Sequence, residues 1–167
     1  MASKFEFLKA TAIGRLSGFD AYKESLNYIA LNYPNTPEGK QSERLIQEAL
    51  PKLASTDFTD DSASNKFKVV YQFLNAPKEE IDEFVKTLNE VIKDVDVYDL
   101  TSSIDVYDKN TTFVVVHGLR SIDGARGFAE ILGKNKKKIT KDHFAISTKN
   151  YEIIQIHKNL ELYLESQ

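Results

Sequence analysis

The chain contains no cysteine, and this absence excludes several kinds of chemistry together. Without cysteine there is no disulfide, no thiolate ligand for a metal and no cysteine nucleophile. The cellular compartment stays open, because many periplasmic proteins also lack disulfides. Long apolar runs are missing as well, since no stretch approaches the roughly 20 residues needed to span a bilayer.

The first residues also lack the apolar core and cleavage pattern of a signal peptide. We therefore expect the export signal of an exported protein to lie outside these 167 residues.

Positive and negative charges are also nearly balanced, because the net charge is only −3. A protein that binds nucleic acids or anionic membranes usually needs a positive electrostatic field to attract them, and this balance of charges does not supply one. Hydrophobic residues make up 41%, charged residues 28% and aromatic residues 11% of the chain. That composition is typical of a folded protein with enough apolar material for a core.

Residues 1–54 carry only helical periodicity, with apolar residues three or four positions apart. We predict three helices, and their apolar stripes are Phe5, Leu8, Ala12 and Leu16; Tyr22, Leu26, Ile29, Ala30 and Tyr33; and Leu45, Ile46, Ala49, Leu50 and Leu53. Ser17-Gly18 ends the first helix, and Thr36 caps the third with Pro37 at its first position. Pro51 is expected to kink or end the third helix.

Residues 55–65 are polar, acidic and rich in residues that favour turns, so we predict a linker. Phe58 is the one side chain there that we expect to dock.

The pattern of residues 66–167 alternates between strand and helix periods. Strands are predicted at 67–74, 112–119 and 144–146, and the alternating runs 96–100 and 104–107 are predicted to be strand or hairpin-like. Helices are predicted after Pro77, after Ser121 and after Ser147 or Thr148. The unbroken run from Phe113 to Val116 indicates a central or deeply buried strand. The order β-α-β-β-α-β, with an extra C-terminal helix, favours a ferredoxin-like domain. The fold class is thus α+β, with a helical segment, a linker and a ferredoxin-like domain.

No catalytic constellation is visible. His117, His143 and His157 are not paired with each other or with a carboxylate at ligand spacing, so structural roles are favoured. The carboxylate groups at 60–61 and 105–108 fall in predicted loops, whereas acid–base pairs must converge in a pocket. The run 117–124 superficially resembles a phosphate loop but lacks both glycine signatures. We therefore predict a chain that is not an enzyme, with no cofactor and no metal site.

Two features are candidate binding surfaces. The lysine run Lys134, Lys136, Lys137 and Lys138 is either a solvated loop or a contact for an acidic or phosphate-bearing partner. Tyr22, Tyr28 and Tyr33 form either an aromatic interface or the packing of a helical repeat.

The helix that ends in Tyr33-Pro34-Asn35-Thr36-Pro37 resembles the second helix and exit turn of a tetratricopeptide repeat. Such repeats need about three copies to bury their faces. We therefore expect either packing on the α/β half or an array that continues beyond Met1, and we favour the array.

The runs 33–40 and 144–160 together resemble the C-terminal part of the SprE/PorW family, the tetratricopeptide lipoproteins of gliding motility and type IX secretion. The more specific pattern is the Ile-Ser-x-x-Asn-Tyr run that starts at Ile146. The α/β half, through the run 113–119 and Ala125 and Phe128, also resembles a divergent SPOR domain.

The resemblance implies a non-catalytic scaffold in the periplasm, tethered to the outer membrane through an anchor outside this chain. Its partners would be other secretion or motility proteins, and nucleic acid is not expected. The alternative is a peptidoglycan-binding module that uses the sheet or the Lys134–Lys138 loop. The added C-terminal helix could cover the surface that SPOR domains use for glycan.

Overall fold

The chain is an α+β protein that divides into two compact units. Its computed structural model describes residues 1–95 and 99–167. Residues 1–58 and 152–167 form the first unit, which we call the helical unit. Residues 59–151 form the second, which we call the sheet unit.

The N-terminal part of the chain is helical, as its apolar periodicity predicts. Its helices are α1 (Ala2–Ser17), α2 (Phe19–Asn32), α3 (Pro37–Arg44) and α4 (Leu50–Leu53). Gly18 separates α1 from α2, as expected. Thr36 caps α3, because its Oγ1 accepts a hydrogen bond from the Gly39 amide at 3.1 Å, and Pro37 follows at the first helical position.

Pro51 distorts the third predicted helix, which comprises α3, a π-helical turn and α4, but does not end it. The backbone from Leu45 to Ala49 widens into a π-helical turn directly before α4. Proline lacks an amide hydrogen, and its ring clashes with the carbonyl four residues earlier, so a bulge relieves the conflict. The chain therefore continues helically through Leu53 instead of stopping at the proline.

The apolar residues predicted to share one face do lie on one helix, α1, but that face is largely exposed. Phe5 is 66% and Leu8 is 69% exposed, and Ala12 is exposed as well. The buried residues of α1 are Ser3 and Ala10. Small side chains let α1 approach its neighbours closely, and the Ser3 hydroxyl donates to Glu38 Oε2 at 2.9 Å. The helix therefore packs through its small and polar residues and leaves its largest apolar side chains outside.

Phe58, from the predicted linker, packs within the helical unit, which confirms the prediction that this side chain docks. The Phe58 ring meets Tyr163 edge-on, with ring centroids 5.3 Å apart. His157 Nε2 donates to the Leu53 carbonyl at 2.8 Å. These contacts place residues 152–167 in the helical unit, whereas the sequence assigns them to the domain at 66–167.

Across residues 59–95 and 99–151, the sheet unit contains one antiparallel sheet and two long α-helices. Its strands are β1 (Phe67–Leu74), β2 (Thr101–Val106), β3 (Thr111–Leu119) and β4 (His143–Ser147), in the order β2-β3-β1-β4. Its helices are α5 (Lys78–Val95) and α6 (Ile122–Lys134), and α7 (Thr148–His157) follows β4.

The core of the sheet unit lies between one face of the sheet and the helices α5 and α6. The strand residues in this core occupy alternate positions along each strand, because successive side chains of a strand point to opposite faces of the sheet. They include Val69, Tyr71 and Phe73 from β1 and Val114 and Val116 from β3, packed against Leu88 of α5 and Phe128 and Leu132 of α6. Phe113, Val114, Val115 and Val116 are all 0% exposed, so β3 is the buried central strand that its sequence predicts.

Two predicted elements differ from the structure. Strand β2 covers 101–106, and the predicted strand at 96–100 falls partly on residues 96–98, outside the described residues. Pairing with β3, from Thr101 opposite His117 to Val106 opposite Thr112, sets this extent. The spacing of Ile153, Ile156, Leu160 and Leu164 predicts one final helix. That prediction is wrong, because Lys158 adopts a positive φ of 55° between α7 and α8 (Leu160–Glu165).

Gly39→Ala tests how closely the turn before α3 packs. A Cβ at this position would overlap the Tyr33 carbonyl oxygen and lie 2.7 Å from the Tyr33 carbonyl carbon. We expect the free energy of unfolding to fall by about 1–3 kcal/mol, measured by urea denaturation with circular dichroism. Gly127→Ala in α6 is the control: its Cβ has nothing within 4 Å, and it should stabilise by roughly 0.5–1 kcal/mol. Equal urea midpoints for the two variants would contradict the packing of this turn.

Candidate functional site

A polar cluster lies on the face of the sheet opposite α5 and α6, where three strands each contribute one side chain. Lys68 on β1 stands directly opposite His117 on β3, and Ser103 comes from β2. Lys68 Nζ lies 2.7 Å from His117 Nδ1, and Ser103 Oγ lies 2.7 Å from His117 Nε2. The imidazole is therefore held between an ammonium and a hydroxyl.

The partners of His117 determine its tautomer. An ammonium group can only donate, so Nδ1 accepts from Lys68 and the ring proton lies on Nε2. Nε2 then donates to Ser103 Oγ. A serine nucleophile needs the opposite arrangement, in which the imidazole accepts the hydroxyl proton. The geometry holds Ser103 as a hydrogen-bond acceptor, and it leaves neither ring nitrogen of His117 open to a metal.

The cluster extends to Asp105 on β2 and Tyr151 in the first turn of α7. The Tyr151 hydroxyl donates to Asp105 Oδ2 at 2.5 Å. Lys68 Nζ lies 5.6 Å from the centre of the Tyr151 ring, within cation–π distance. Burial lowers the pKa of His117 below its ordinary value, and Lys68 lowers it further, whereas Asp105 opposes both. His117 is therefore neutral at pH 7.

A cavity of about 590 Å³ opens beside this cluster, within the sheet unit. Its polar lining is strongly basic. It includes Lys66 directly before β1, Lys68 from β1, His117 from β3, Arg120 directly after β3, and Thr148 at the start of α7. Among the described residues that line the cavity, none carries a carboxylate.

Gly118 shapes this cavity through an irregularity in the pairing of β1 with β3. Phe67 pairs with Leu119 and Lys68 pairs with His117, so Gly118 is an extra residue with φ of 103°. An added Cβ would lie 3.1 Å from the Asp99 carbonyl oxygen. Glycine adopts this conformation at little cost, and such bulges redirect the neighbouring side chains. The bulge therefore sets the course of residues 117–120 along the cavity wall.

The three candidate tyrosines differ in exposure. Tyr22 is half-buried against Gly14, where an added Cβ would lie 3.0 Å from its ring, and burial raises the pKa of its hydroxyl. Tyr28 is 50% exposed, and its ring meets that of half-buried Tyr33 edge-on, with centroids 6.5 Å apart. Tyr28 thus offers the most surface to a partner.

The lysine run lies after α6, and much of its charge is engaged within the sheet unit. Lys134 pairs with Glu130, Lys137 pairs with Glu90, and the neighbouring Lys141 pairs with Glu80 at 3.3 Å. Lys136 and Lys138 are exposed and have no ion-pair partner in the described part of the chain. The structure therefore spreads these lysines among acidic neighbours instead of gathering them into one cationic patch.

The other two histidines bond to backbone carbonyls. His143 Nδ1 donates to the Lys141 carbonyl at 3.0 Å, and His157 bonds to Leu53. Within residues 1–95 and 99–167, no group of three histidine or acidic residues could hold a metal ion. In the same residues, no helix combines the length and hydropathy required to cross a bilayer.

Comparison with models of protein families, with curated proteins and with solved structures finds no match in any of the three. The resemblance to the SprE/PorW family stays a prediction from the residues quoted for it. The function is therefore inferred from the residues and their geometry.

Sequence reasoning missed the cluster around His117. It assigned His117 a structural role and gave no role to Lys68, Ser103 or Tyr151. It placed Asp105 in a loop, which is wrong because pairing with β3 makes this residue part of β2. The sequence does contain a signal, because Lys68, Ser103, Asp105 and His117 each interrupt an otherwise apolar or alternating strand. The pairing that brings them together depends on strand register, which a single sequence does not reveal.

The pKa of His117 tests the cluster. We expect nuclear magnetic resonance to give a pKa below the ordinary value of about 6.5, since burial disfavours the charged ring and protonation would place a second cation beside Lys68. Lys68→Gln should raise it, and Asp105→Asn should lower it further. Lys109→Gln, an exposed lysine in the β2–β3 turn, should leave it unchanged.

The same shift predicts a pH dependence of stability. The unfolded chain binds more protons than the folded chain between the lowered pKa and about 6.5. The free energy of unfolding should therefore fall as pH drops through that window. Lys68→Gln should make the part of this decrease that comes from His117 smaller. Urea midpoints above and below pH 6.5 measure this, and a wild-type His117 pKa at or above its ordinary value would refute the arrangement.

Proposed function

We propose that the chain is a non-catalytic adaptor that binds a helix of a partner protein through its helical unit. The observation that carries the proposal is the exposed apolar stripe of α1, formed by Phe5, Leu8 and Ala12. Large apolar side chains left in solvent mark interaction sites when they are contiguous. We call these three residues the α1 stripe.

The spacing of the α1 stripe favours a helical partner. Its residues lie at i, i+3 and i+7, which is the spacing of anchors in helix-to-helix recognition. A groove of about 320 Å³ lies beside it, between α1 and α2. Ala10 and Ile13 contribute apolar lining, whereas Glu6, Lys9 and Glu24 contribute charge. An amphipathic helix could place apolar side chains against this surface and polar side chains at its edge.

We interpret the two units as a tetratricopeptide-like helical segment and a ferredoxin-like domain. The first is supported by the close approach of Gly14 to Tyr22 and by the capped turn at Thr36. The second is supported by the element order β-α-β-β-α-β and the strand order β2-β3-β1-β4. Both are architectures that proteins commonly use for binding.

The cellular setting follows from the resemblance alone. The runs 33–40 and 144–160 support a place in a cell-envelope machine of the type IX secretion or gliding class. The adaptor would then act in the periplasm, tethered to the outer membrane through an anchor outside this chain. Its partners would be other secretion or motility proteins, and the alternative remains a peptidoglycan-binding module.

The double variant Phe5→Ser, Leu8→Ser tests the adaptor. The immobilised chain would be exposed to solubilised envelopes of the organism that makes it, and bound proteins quantified by mass spectrometry. Each proposed partner would then be purified and titrated against the chain by calorimetry. We expect the double variant to weaken binding at least about tenfold, because burial of either side chain contributes roughly 1.5–3 kcal/mol.

Leu162→Ser is the matched control, since Leu162 is 60% exposed in the same unit but lies outside the α1 stripe. Its binding should match that of the wild type. Equal affinity of the double variant and the wild type would refute the role of the α1 stripe. Retention on isolated sacculi with no protein partner would favour the peptidoglycan alternative, and a dimer dissolved by the double variant would assign the stripe to a second copy.

A further inference from the structure

The basic cavity is lined by residues of the sheet unit, whereas the α1 stripe belongs to the helical unit. Every described residue that lines it belongs to residues 59–151. Its volume of about 590 Å³ falls within the roughly 300–1,000 Å³ of small-molecule clefts. The chain as a whole has a net charge of −3, so the concentration of cations here is local.

The charges around the cavity determine which ligand suits it. Lys66, Lys68 and Arg120 are cationic at pH 7, and no described lining residue is acidic. Three cations suit a dianion better than a carboxylate monoanion, and a phosphate monoester carries about −1.5 to −2 charges at pH 7. Its three terminal oxygens can also accept several bonds, including the paired donors of an arginine and the hydroxyl of a threonine such as Thr148.

The polar cluster holds one of these cations in place before any ligand arrives. Lys68 Nζ donates to His117 Nδ1 at 2.7 Å, and His117 is itself held by Ser103. The Lys68 side chain is half-buried and lies over the Tyr151 ring. A donor that is already ordered loses less conformational entropy when a ligand binds. The cluster thus acts as support for the cavity.

We propose that the cavity bounded by Lys66, Lys68, His117, Arg120 and Thr148 binds the phosphate group of an organic phosphate monoester. The run 117–124, which superficially resembles a phosphate loop, provides part of the wall through the bulge at Gly118. The binding differs from that of a glycine-rich phosphate loop, because the charged side chains of Lys66, Lys68 and Arg120, in and beside two strands, provide the donors. The site does not depend on the adaptor function.

Titration of the full chain with glycerol 3-phosphate, followed by nuclear magnetic resonance, tests the site. Potassium chloride would hold the ionic strength constant, because salt screens surface charge over about 8–10 Å. We expect saturable amide shifts that cluster at residues 66–68, 117–120 and 148. Acetate at the same ionic strength should give weaker or no saturable shifts.

Two variants locate the binding. Lys66→Gln changes an exposed side chain and leaves the core intact, and Lys68→Gln removes the ordered donor. Each should weaken binding about tenfold, as expected for one charge-assisted hydrogen bond. Lys136→Gln is the matched control, because it removes the same charge from an exposed position outside the cavity. Equal weakening by Lys66→Gln and Lys136→Gln would show only a general effect of net charge and would overturn the site.

A second arm distinguishes a soluble ester from a lipid headgroup. Vesicles of phosphatidylcholine, with or without phosphatidic acid, present the same phosphate monoester on a membrane. Binding to glycerol 3-phosphate supports a soluble ligand. Binding only to vesicles with phosphatidic acid, weakened by Lys66→Gln and not by Lys136→Gln, supports a lipid headgroup. Absence of saturable binding in both arms, or equally tight binding of acetate, overturns the proposal.

Discussion

Burial of β3 on both faces is the constraint on which the sheet unit depends. Four consecutive residues from Phe113 to Val116 are fully buried, and successive side chains of a strand point to opposite faces. Val114 and Val116 therefore need α5 and α6 on one side, while Phe113 packs against Tyr107, Phe144 and Tyr151 on the other. A strand with these demands has to lie inside the sheet, between β2 and β1.

The same constraint brings the polar cluster together. Once Val114 and Val116 face the helices, His117 must face the other way, and the register places Lys68 opposite it. A half-buried imidazole costs free energy unless its nitrogens are hydrogen-bonded, and here both are. The arrangement leaves the sheet with an apolar core on one face and an ordered cation beside a basic cavity on the other.

Prediction from the sequence succeeds where neighbours along the chain decide the outcome. Thr36 and Ser121 cap their helices as expected, since a cap needs only an amide three residues away. For α1, periodicity shows that Phe5 and Leu8 share a face but does not show which face is covered. Prediction fails at Lys158, whose left-handed backbone ends a helix that periodicity continues. These two outcomes depend on packing beyond the local pattern.

The sequence by itself determined the α+β class, the order of the elements and the buried centre of β3. These features depend on local hydrogen bonding and on the spacing of apolar residues, which residues close in the chain determine. Tertiary structure alone decided that Lys68, Ser103 and His117 meet, and that a bulge at Gly118 opens a cavity beside them. These residues lie 14 to 49 positions apart in the pairs that bond. Their meeting depends on strand register, which is a property of the whole sheet and of the faces it must bury.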